Sequence, residues 1–238
     1  MKPSNKTIVH GFTLVELLVV IAIIATLASV SLSIIPRMLR RAKSAESLEH
    51  LHQFAPLLLT YATDHSMNLP AATNNQVTIN GVSESLTWSE VCTNQLFPSA
   101  TITNLKDPKW WKQSKPFLIN PLFKTWTPQA HGYAWNEMIA VNTEEAKSSD
   151  RSATPLEVAV PLVSIPEPGR TPLIVPAVAG RYRLDVIENL KVYQSGPASE
   201  LLVDGRFSVL FVDGHLESMT PKEYYTRQFF SFPKVSAP

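Results

Sequence analysis

The sequence is poor in several residue types that define common protein classes. Of its 238 residues only Cys92 is a cysteine, which excludes an internal disulfide and any metal site built from several cysteines. Eight glycines stand against 19 prolines, which predicts short strands and restrained loops after the first quarter of the chain. The 21 basic side chains nearly balance the 20 acidic ones, so no basic excess indicates nucleic acid. We therefore expect a fold held together by core packing and no nucleic-acid partner.

Motifs of the common enzyme classes are also lacking. The sequence contains no Gly-x-Ser-x-Gly, no phosphate-binding loop, no dinucleotide fingerprint and no His-Glu-x-x-His, and its six histidines are dispersed. His50 and His52 are two positions apart, so they do not share a helix face. We therefore expect no enzymatic activity, no catalytic residue and no cofactor.

A long apolar run lies near the start of the chain. The 19 residues from Leu17 to Ile35 carry no charge. As a helix they would cover about 28 Å, close to the thickness of the hydrocarbon layer of a bilayer. An ordinary signal peptide is shorter, and a plain membrane anchor does not explain a carboxylate at Glu16. Lys2 and Lys6 precede the run with no acid beside them. We predict a membrane-spanning helix with Glu16 as a candidate functional residue.

The segment Gly-Phe-Thr-Leu-Val-Glu from Gly11 to Glu16 resembles the cleavage and methylation motif of type IV prepilins and type II secretion pseudopilins. The resemblance implies that a prepilin peptidase cuts after Gly11, that the new terminal Phe12 is N-methylated, and that Glu16 guides assembly. The physical chemistry agrees with these roles. Glycine presents the peptidase with no side chain at the cleaved bond, and a charged ammonium at Phe12 near lipid needs a carboxylate partner.

The resemblance also implies a function and a location. It implies a structural subunit with a single span in the bacterial inner membrane and a C-terminal head in the periplasm. The subunit would assemble into a type IV pilus or a type II secretion pseudopilus. Its partners would be prepilin peptidase, membrane lipid and other pilin-like subunits, contacted through the N-terminal helix. The alternative is an adhesive or ligand-binding head on a pilin-like anchor. A tethered enzyme is a third interpretation, which the missing motifs disfavour.

Four basic residues follow the apolar run and conflict with this orientation: Arg37, Arg40, Arg41 and Lys43. Basic residues next to a membrane span tend to stay on the cytoplasmic side, which would place the C-terminal domain in the cytoplasm. We give precedence to the motif, because it is specific whereas the charge rule is statistical. The basic residues are then interpreted as facing lipid phosphates or contacting other subunits.

Helical spacing continues beyond the apolar run. We predict a cleaved leader over residues 1–11, a transmembrane helix over 12–35, an amphipathic stalk helix over 36–64 and a globular head over 65–238. Pro36 and Pro56 predict bends in the helix. One core-facing stripe is predicted at Met38, Ala42, Ala45, Leu48, Leu51, Ala55, Leu58 and Ala62. The fold class is α+β, a long N-terminal helix followed by a pilin-like head with a small antiparallel β-sheet.

Five tryptophans fall within 48 residues of the predicted head: Trp88, Trp110, Trp111, Trp126 and Trp135. We expect them to be core and loop-anchoring residues rather than a ligand platform. Exposure of Trp110 and Trp111 would favour the ligand-binding interpretation. Six prolines between Pro155 and Pro176 separate short apolar runs, which predicts edge strands or extended segments there.

The C-terminal part has the clearest strand pattern in the head. Three apolar segments joined by two Asp-Gly pairs predict an antiparallel meander. The segments are residues 201–203, 207–212 and 215–217, and the pairs are Asp204-Gly205 and Asp213-Gly214. After them, Thr220, Pro221 and Glu223 have the spacing of an N-cap, a first helical proline and a capping-box glutamate. A short helix is therefore predicted over 224–229.

The stretch 209–217 resembles the C-terminal motif of a large subgroup of pilin-like proteins, named for a histidine nine residues before an Asp-Gly pair. Segments 41–64 and 132–136 resemble the same subgroup. Val203 stands where the motif has its histidine. Only Asp213, Gly214 and His215 are therefore carried over, as a turn rather than a site.

Calcium is an alternative that the acidic residues of the C-terminal part raise, because acidic C-terminal loops bind it in some pseudopilins. The candidates are Asp204, Asp213 and Glu217. Their spacing matches no EF-hand loop, and aspartate in a hairpin turn usually serves the backbone. We therefore expect no metal site, with calcium as the alternative.

Overall fold

The structure is a computed structural model. It describes residues 12–73, 75–107, 109, 119–123, 132–136, 159–165, 167–177, 181–182 and 197–227. The chain divides into two compact units, Met1–Ala42 and Lys43–Pro238. The first unit contains the beginning of one long helix, and the second contains the remainder of that helix together with the head.

Helix α1 runs over Leu14–Asp64, 51 residues, and passes through both Pro36 and Pro56. This confirms the predicted long N-terminal helix. By length and composition, α1 contains the one helical stretch among the described residues that could cross a membrane, and no part of that stretch is buried. Bending at the two prolines stays a prediction.

The part of α1 within the second unit packs one face into the head. The buried residues of this face are Ser47, His50, Leu51, Phe54, Leu58, Tyr61 and Ala62. The predicted stripe is therefore wrong in its first half, because Met38, Ala42, Ala45 and Leu48 are exposed. The reason is geometric. Seven steps of three or four residues lead from Met38 to Ala62, a separation of 24 residues. Because each residue rotates the helix by about 100°, the total rotation is roughly 120° less than seven full turns. Such a stripe winds around the helix, so only its later members face the core.

The head contains small sheets and short helices. The strands in the described residues are β1 (Asn68–Leu69), β2 (Asn75–Ile79), β3 (Val82–Leu86), β4 (Tyr133–Asn136), β5 (Val160–Pro161), β6 (Pro172–Pro176), β7 (Arg181–Tyr182), β8 (Phe207–Phe211) and β9 (Leu216–Met219). Strand β1 pairs with β5 and β2 with β3, both antiparallel. The remaining five form one sheet in the order β7-β4-β6-β8-β9, antiparallel except for the edge pair β4 and β7. The α+β class is thereby confirmed.

Strand β6 corrects the prediction of edge strands in the proline-rich region. It pairs with β4 on one side and β8 on the other, so it is the centre of the five-stranded sheet. Its two prolines, Pro172 and Pro176, stand at its first and last positions. Proline lacks the N–H that a ladder bond needs, and the ends of a strand are where this loss is tolerated.

Short helices in the head begin with capping boxes. Helix α2 (Trp88–Leu96) is capped by Thr87 and Glu90, and α3 (Ile102–Lys106) by Thr101 and Asn104. Helix α4 (Pro221–Thr226) has the predicted cap of Thr220 and Glu223 with proline at its start. It begins three residues earlier than predicted, because the proline lies inside the first turn, and residues 228–229 lie outside the described residues.

The predicted meander is only partly correct. Strands β8 and β9 pair as expected, but residues 201–203 form no strand. Leu201 ends a 3-10 helical segment, and only Val203 pairs, through a single bridge to Arg206. The turn Asp204-Gly205 is so tight that the bridge partners are only three residues apart. Both turn residues have positive φ, 50° and 76°, as a type I′ turn requires.

Candidate processing and assembly site

The first described residues form the start of α1. Phe12 is 73% exposed, and Gly11 lies outside the described residues. One carboxylate oxygen of Glu16, Oε2, accepts hydrogen bonds from the backbone N and the hydroxyl of Thr13, both at 2.8 Å. The backbone N of Glu16 donates to the Thr13 hydroxyl at 3.3 Å. Thr13 and Glu16 thus form a reciprocal capping box.

This capping box was missed in the sequence analysis. The signal for it was a threonine three residues before a glutamate, at the start of an apolar run. The box satisfies N–H groups that have no partner within the helix. Glu16 is exposed while it makes these bonds, so its carboxylate is accessible to a second partner.

The side chains beyond this start are suited to lipid. All described side chains from Phe12 to Ala42 are exposed. The hydroxyls of Thr26, Ser29 and Ser31 donate to backbone carbonyls one turn earlier, at 2.8, 2.8 and 2.9 Å. Because these polar groups find partners within the helix, they add little cost in a hydrocarbon environment. The side chain of Ser33 lies outside the description.

The C-terminal turn lies in the second unit and has a backbone role. Gly214 has φ of 89°, and its N–H donates to the Phe211 carbonyl at 3.0 Å. Oδ1 of Asp213 pairs with Nδ1 of His215 at 2.6 Å and accepts from the His215 N–H at 3.1 Å. Partial burial opposes ionisation of Asp213, but these hydrogen bonds hold its pKa below the usual value. The His215 ring also stacks on Phe211, with 4.2 Å between centroids.

The calcium candidates are not arranged as a metal site. Among the residues that the structure describes, no group of three or more His, Cys, Asp or Glu side chains is placed to hold an ion. The carboxylate of Asp213 is engaged by His215, and that of Glu217 pairs with Arg227. The geometry therefore gives the calcium alternative no support.

A buried polar cluster joins the second half of α1 to β4, and no local sequence pattern indicates it. The Tyr133 hydroxyl lies 3.0 Å from the Ser47 hydroxyl and 3.3 Å from Nδ1 of His50. Burial lowers the pKa of His50, while the nearby carboxylates of Glu46 and Glu49 act in the opposite direction. The partners of this cluster are 83 or more residues apart in sequence, so only the folded head brings them together.

Reactive and aromatic candidates in the head are part of its core. Cys92 is fully buried, and burial raises the pKa of its thiol, which removes it as a nucleophile. Trp88 and Trp135 are also buried, with 5.6 Å between ring centroids. These two tryptophans cannot form a ligand-binding surface. Trp110, Trp111 and Trp126 lie outside the described residues.

Comparison with known proteins supports the prediction made for the start of the chain. Residues 8–32 match a family described as the prokaryotic N-terminal methylation motif. The match covers Gly11, Phe12 and Glu16 and is consistent with a type IV prepilin-like or pseudopilin-like protein. Comparison with curated proteins and with solved structures gives no match. The resemblance of the C-terminal motif thus rests on the sequence alone.

Proposed function

We propose that this chain is the precursor of a pilin-like or pseudopilin structural subunit. Prepilin peptidase cuts between Gly11 and Phe12, and the new α-amino group of Phe12 is methylated. The observation that carries the proposal is the coincidence of two features in one segment. The methylation motif matches residues 8–32, and the helix that starts there presents apolar side chains to its surroundings on every side.

The domain organisation follows from this proposal. Residues 1–11 are the removed leader, 12–35 span the inner membrane, 36–64 form the stalk and 65–238 form the head. The apolar side chains before Ala42 require a cover, and both lipid and neighbouring helices supply one. The head lies in the periplasm, and the subunits assemble through their N-terminal helices into a type IV pilus or a type II secretion pseudopilus.

Glu16 is the proposed assembly residue. It is the only acidic residue before Glu46 in the sequence, and it lies four positions after the proposed mature terminus at Phe12. A carboxylate has two oxygens, so Glu16 can keep its bonds to Thr13 through Oε2 and also pair with the Phe12 ammonium of a neighbouring subunit. In a poorly solvated bundle, that pairing removes the cost of an isolated charge.

Three variants test the assembly role and separate charge from helix capping. Glu16→Leu loses the charge and the cap, whereas Glu16→Gln loses the charge but keeps an oxygen that accepts from Thr13. Thr13→Ala weakens the cap and keeps the charge. We expect Glu16→Leu and Glu16→Gln to lose cysteine cross-linking between neighbouring span helices, since an unpaired buried charge costs about 3–5 kcal/mol. Thr13→Ala should retain most of the cross-linking, and all three should still insert in the membrane.

The outcomes of this test distinguish the charge of Glu16 from its contribution to helix capping. Equal cross-linking in wild type and Glu16→Gln would show that the charge has no assembly role. Loss in Thr13→Ala equal to that in Glu16→Leu would assign the effect to helix capping instead. Glu16→Asp keeps the charge but shortens its reach by one methylene, so its cross-linking should be intermediate.

A further inference from the structure

Three arginines lie on the part of α1 that follows the apolar run: Arg37, Arg40 and Arg41. All three side chains are exposed. Arg37 is three and four positions from the other two, a spacing that places helix residues on neighbouring parts of one surface. All belong to the first compact unit, Met1–Ala42. They therefore form one cationic surface on the proposed membrane helix, which we call the arginine surface.

The position of the arginine surface matches the headgroup layer. Ile35 is the last residue of the uncharged run. At 1.5 Å per residue, Arg37 lies about 3 Å and Arg41 about 9 Å farther along the helix axis. The polar headgroup layer on each face of a bilayer is roughly 5–8 Å thick. A helix that buries the run up to Ile35 in hydrocarbon thus places Arg37 and Arg40 within this layer. Arg41 lies just beyond it, and because helix side chains lean toward the N-terminus, its guanidinium group can still reach the layer.

The local charge favours an anionic ligand. No acidic residue occurs in the sequence between Glu16 and Glu46, so the segment that follows the span is uniformly positive. Guanidinium groups bind phosphate oxygens through two parallel hydrogen bonds and are less strongly hydrated than ammonium groups. Clusters of basic residues beside a membrane helix attract anionic lipid.

We propose that the arginine surface binds the phosphate groups of anionic phospholipids in the leaflet next to the C-terminal end of the span. The inference rests on the proposed membrane insertion and adds a specific class of lipid to it. The ligand is a lipid phosphodiester with a net negative charge, such as the headgroup of phosphatidylglycerol. The contact anchors the end of the span at the bilayer surface, and it gives the basic residues a role on the face where the head lies.

The test is native mass spectrometry of the full mature chain in a neutral detergent, titrated with phosphatidylglycerol or with phosphatidylcholine of the same acyl chains. Wild type should bind the anionic lipid more tightly. The variant R37Q/R40Q/R41Q should lose on the order of tenfold to a hundredfold in affinity for it, with little change for phosphatidylcholine. R37K/R40K/R41K keeps the charges and should keep the preference for the anionic lipid, with a smaller loss of affinity than the glutamine variant because lysine cannot form the paired hydrogen bonds.

A matched control removes three exposed cations from the head instead: Lys109, Arg170 and Lys222, each changed to Gln. This control has the same net charge as the glutamine variant and should keep the lipid preference. An unchanged preference in R37Q/R40Q/R41Q, or equal binding of both lipids by wild type, would overturn the inference. Displacement of the lipid by excess inorganic phosphate would do so as well, because the ligand would then be free phosphate. If wild type gave dimer peaks without bound lipid, and the glutamine variant lost those peaks, the partner of the arginine surface would be a second copy of the chain instead.

The same sample separates this inference from the proposed function. Its mass shows whether the chain starts at methylated Phe12, and membrane fractionation shows whether it was inserted. A processed, inserted chain without lipid preference overturns the arginine surface alone. An unprocessed chain that leaves the membrane fraction overturns the proposed function.

Discussion

The two parts of helix α1 share one backbone conformation but have opposite surroundings. From Phe12 to Ala42 every described side chain is exposed, whereas from Ser47 to Ala62 one face is buried in the head. Leu27 is 64% exposed and Phe54 is fully buried. Fully burying one large apolar side chain is worth roughly 1.5–3 kcal/mol. The first part therefore leaves its apolar surface uncovered in the structure, whereas the second part uses its apolar surface to hold the head together.

The buried face of the second part is aromatic as well as aliphatic. The Phe54 ring contacts Trp88 and Tyr133 edge-on, with centroids 5.3 and 5.6 Å apart. These contacts join α1 to α2 and β4. Removing the Phe54 side chain is therefore the most direct test of the difference between the two parts of the helix.

Phe54→Ala should give the largest effect on the head. The substitution removes a fully buried ring and leaves a cavity, so the free energy of unfolding should fall by about 3–5 kcal/mol. The measurement is tryptophan fluorescence of the full chain in detergent during denaturant unfolding. Leu27→Ala is the control in the first part of the helix and should not move the midpoint. Equal losses of unfolding free energy in Phe54→Ala and Leu27→Ala would contradict the difference between the two parts of the helix.

Gly214→Val should have the next largest effect. Gly214 has φ of 89°, and a Cβ at this position would lie 3.5 Å from the Cβ of Ala55 on α1. A β-branched residue at positive φ is strained, so the free energy of unfolding should fall by about 1–3 kcal/mol. Gly214→Asn should lose less, because asparagine tolerates this conformation. Equal unfolding midpoints in Gly214→Val and wild type would show that the turn carries no strain.

Acid should weaken the head through His50, with the smallest of the three effects. Burial lowers the pKa of His50 in the folded chain below its ordinary value of 6.5, so the unfolded chain binds the proton first as the pH falls. The contribution of neutral His50 to the stability of the head is complete above about pH 6.5 and decreases as the pH falls below it. The groups that face the ring are Glu46, Glu49, Tyr133 and the Ile119 carbonyl.

The measurement for this effect is the denaturant midpoint on either side of that pH, in wild type and in His50→Gln. Glutamine does not titrate, so its midpoint should fall less on acidification. An identical fall in both chains would assign the acid sensitivity to other groups.

Local sequence patterns predicted the parts of the fold that local interactions determine. The long helix follows from uninterrupted helical spacing, and the cap of α4 follows from Thr220 and Glu223. The Asn80-Gly81 pair between β2 and β3 was an equally strong hairpin signal that the sequence analysis did not use. The Thr13–Glu16 capping box was missed in the same way.

Features that depend on distant contacts could not be predicted. The position of β6 at the centre of the sheet is set by its pairing with strands more than 30 residues away, so its prolines suggested an edge. Ser47 and His50 are polar residues on a buried face because Tyr133 lies opposite them. Leu48 faces outward because it lies about 100° around the helix from the buried Ser47, and periodicity alone does not specify which side of the helix the head covers.

The central claim is that the chain is a processed pilin-like precursor, and the most direct measurement is the mass and sequence of the N-terminal peptide of the mature chain. The chain should be isolated from the membrane of a host that has a prepilin peptidase. The account predicts that the peptide begins at Phe12 and carries one methyl group on its α-amino nitrogen. It also predicts that the wild-type peptide shifts to the uncleaved leader when Gly11 is replaced by Val. A mature terminus at any other residue, or an unmodified leader retained in the wild-type chain, would contradict it.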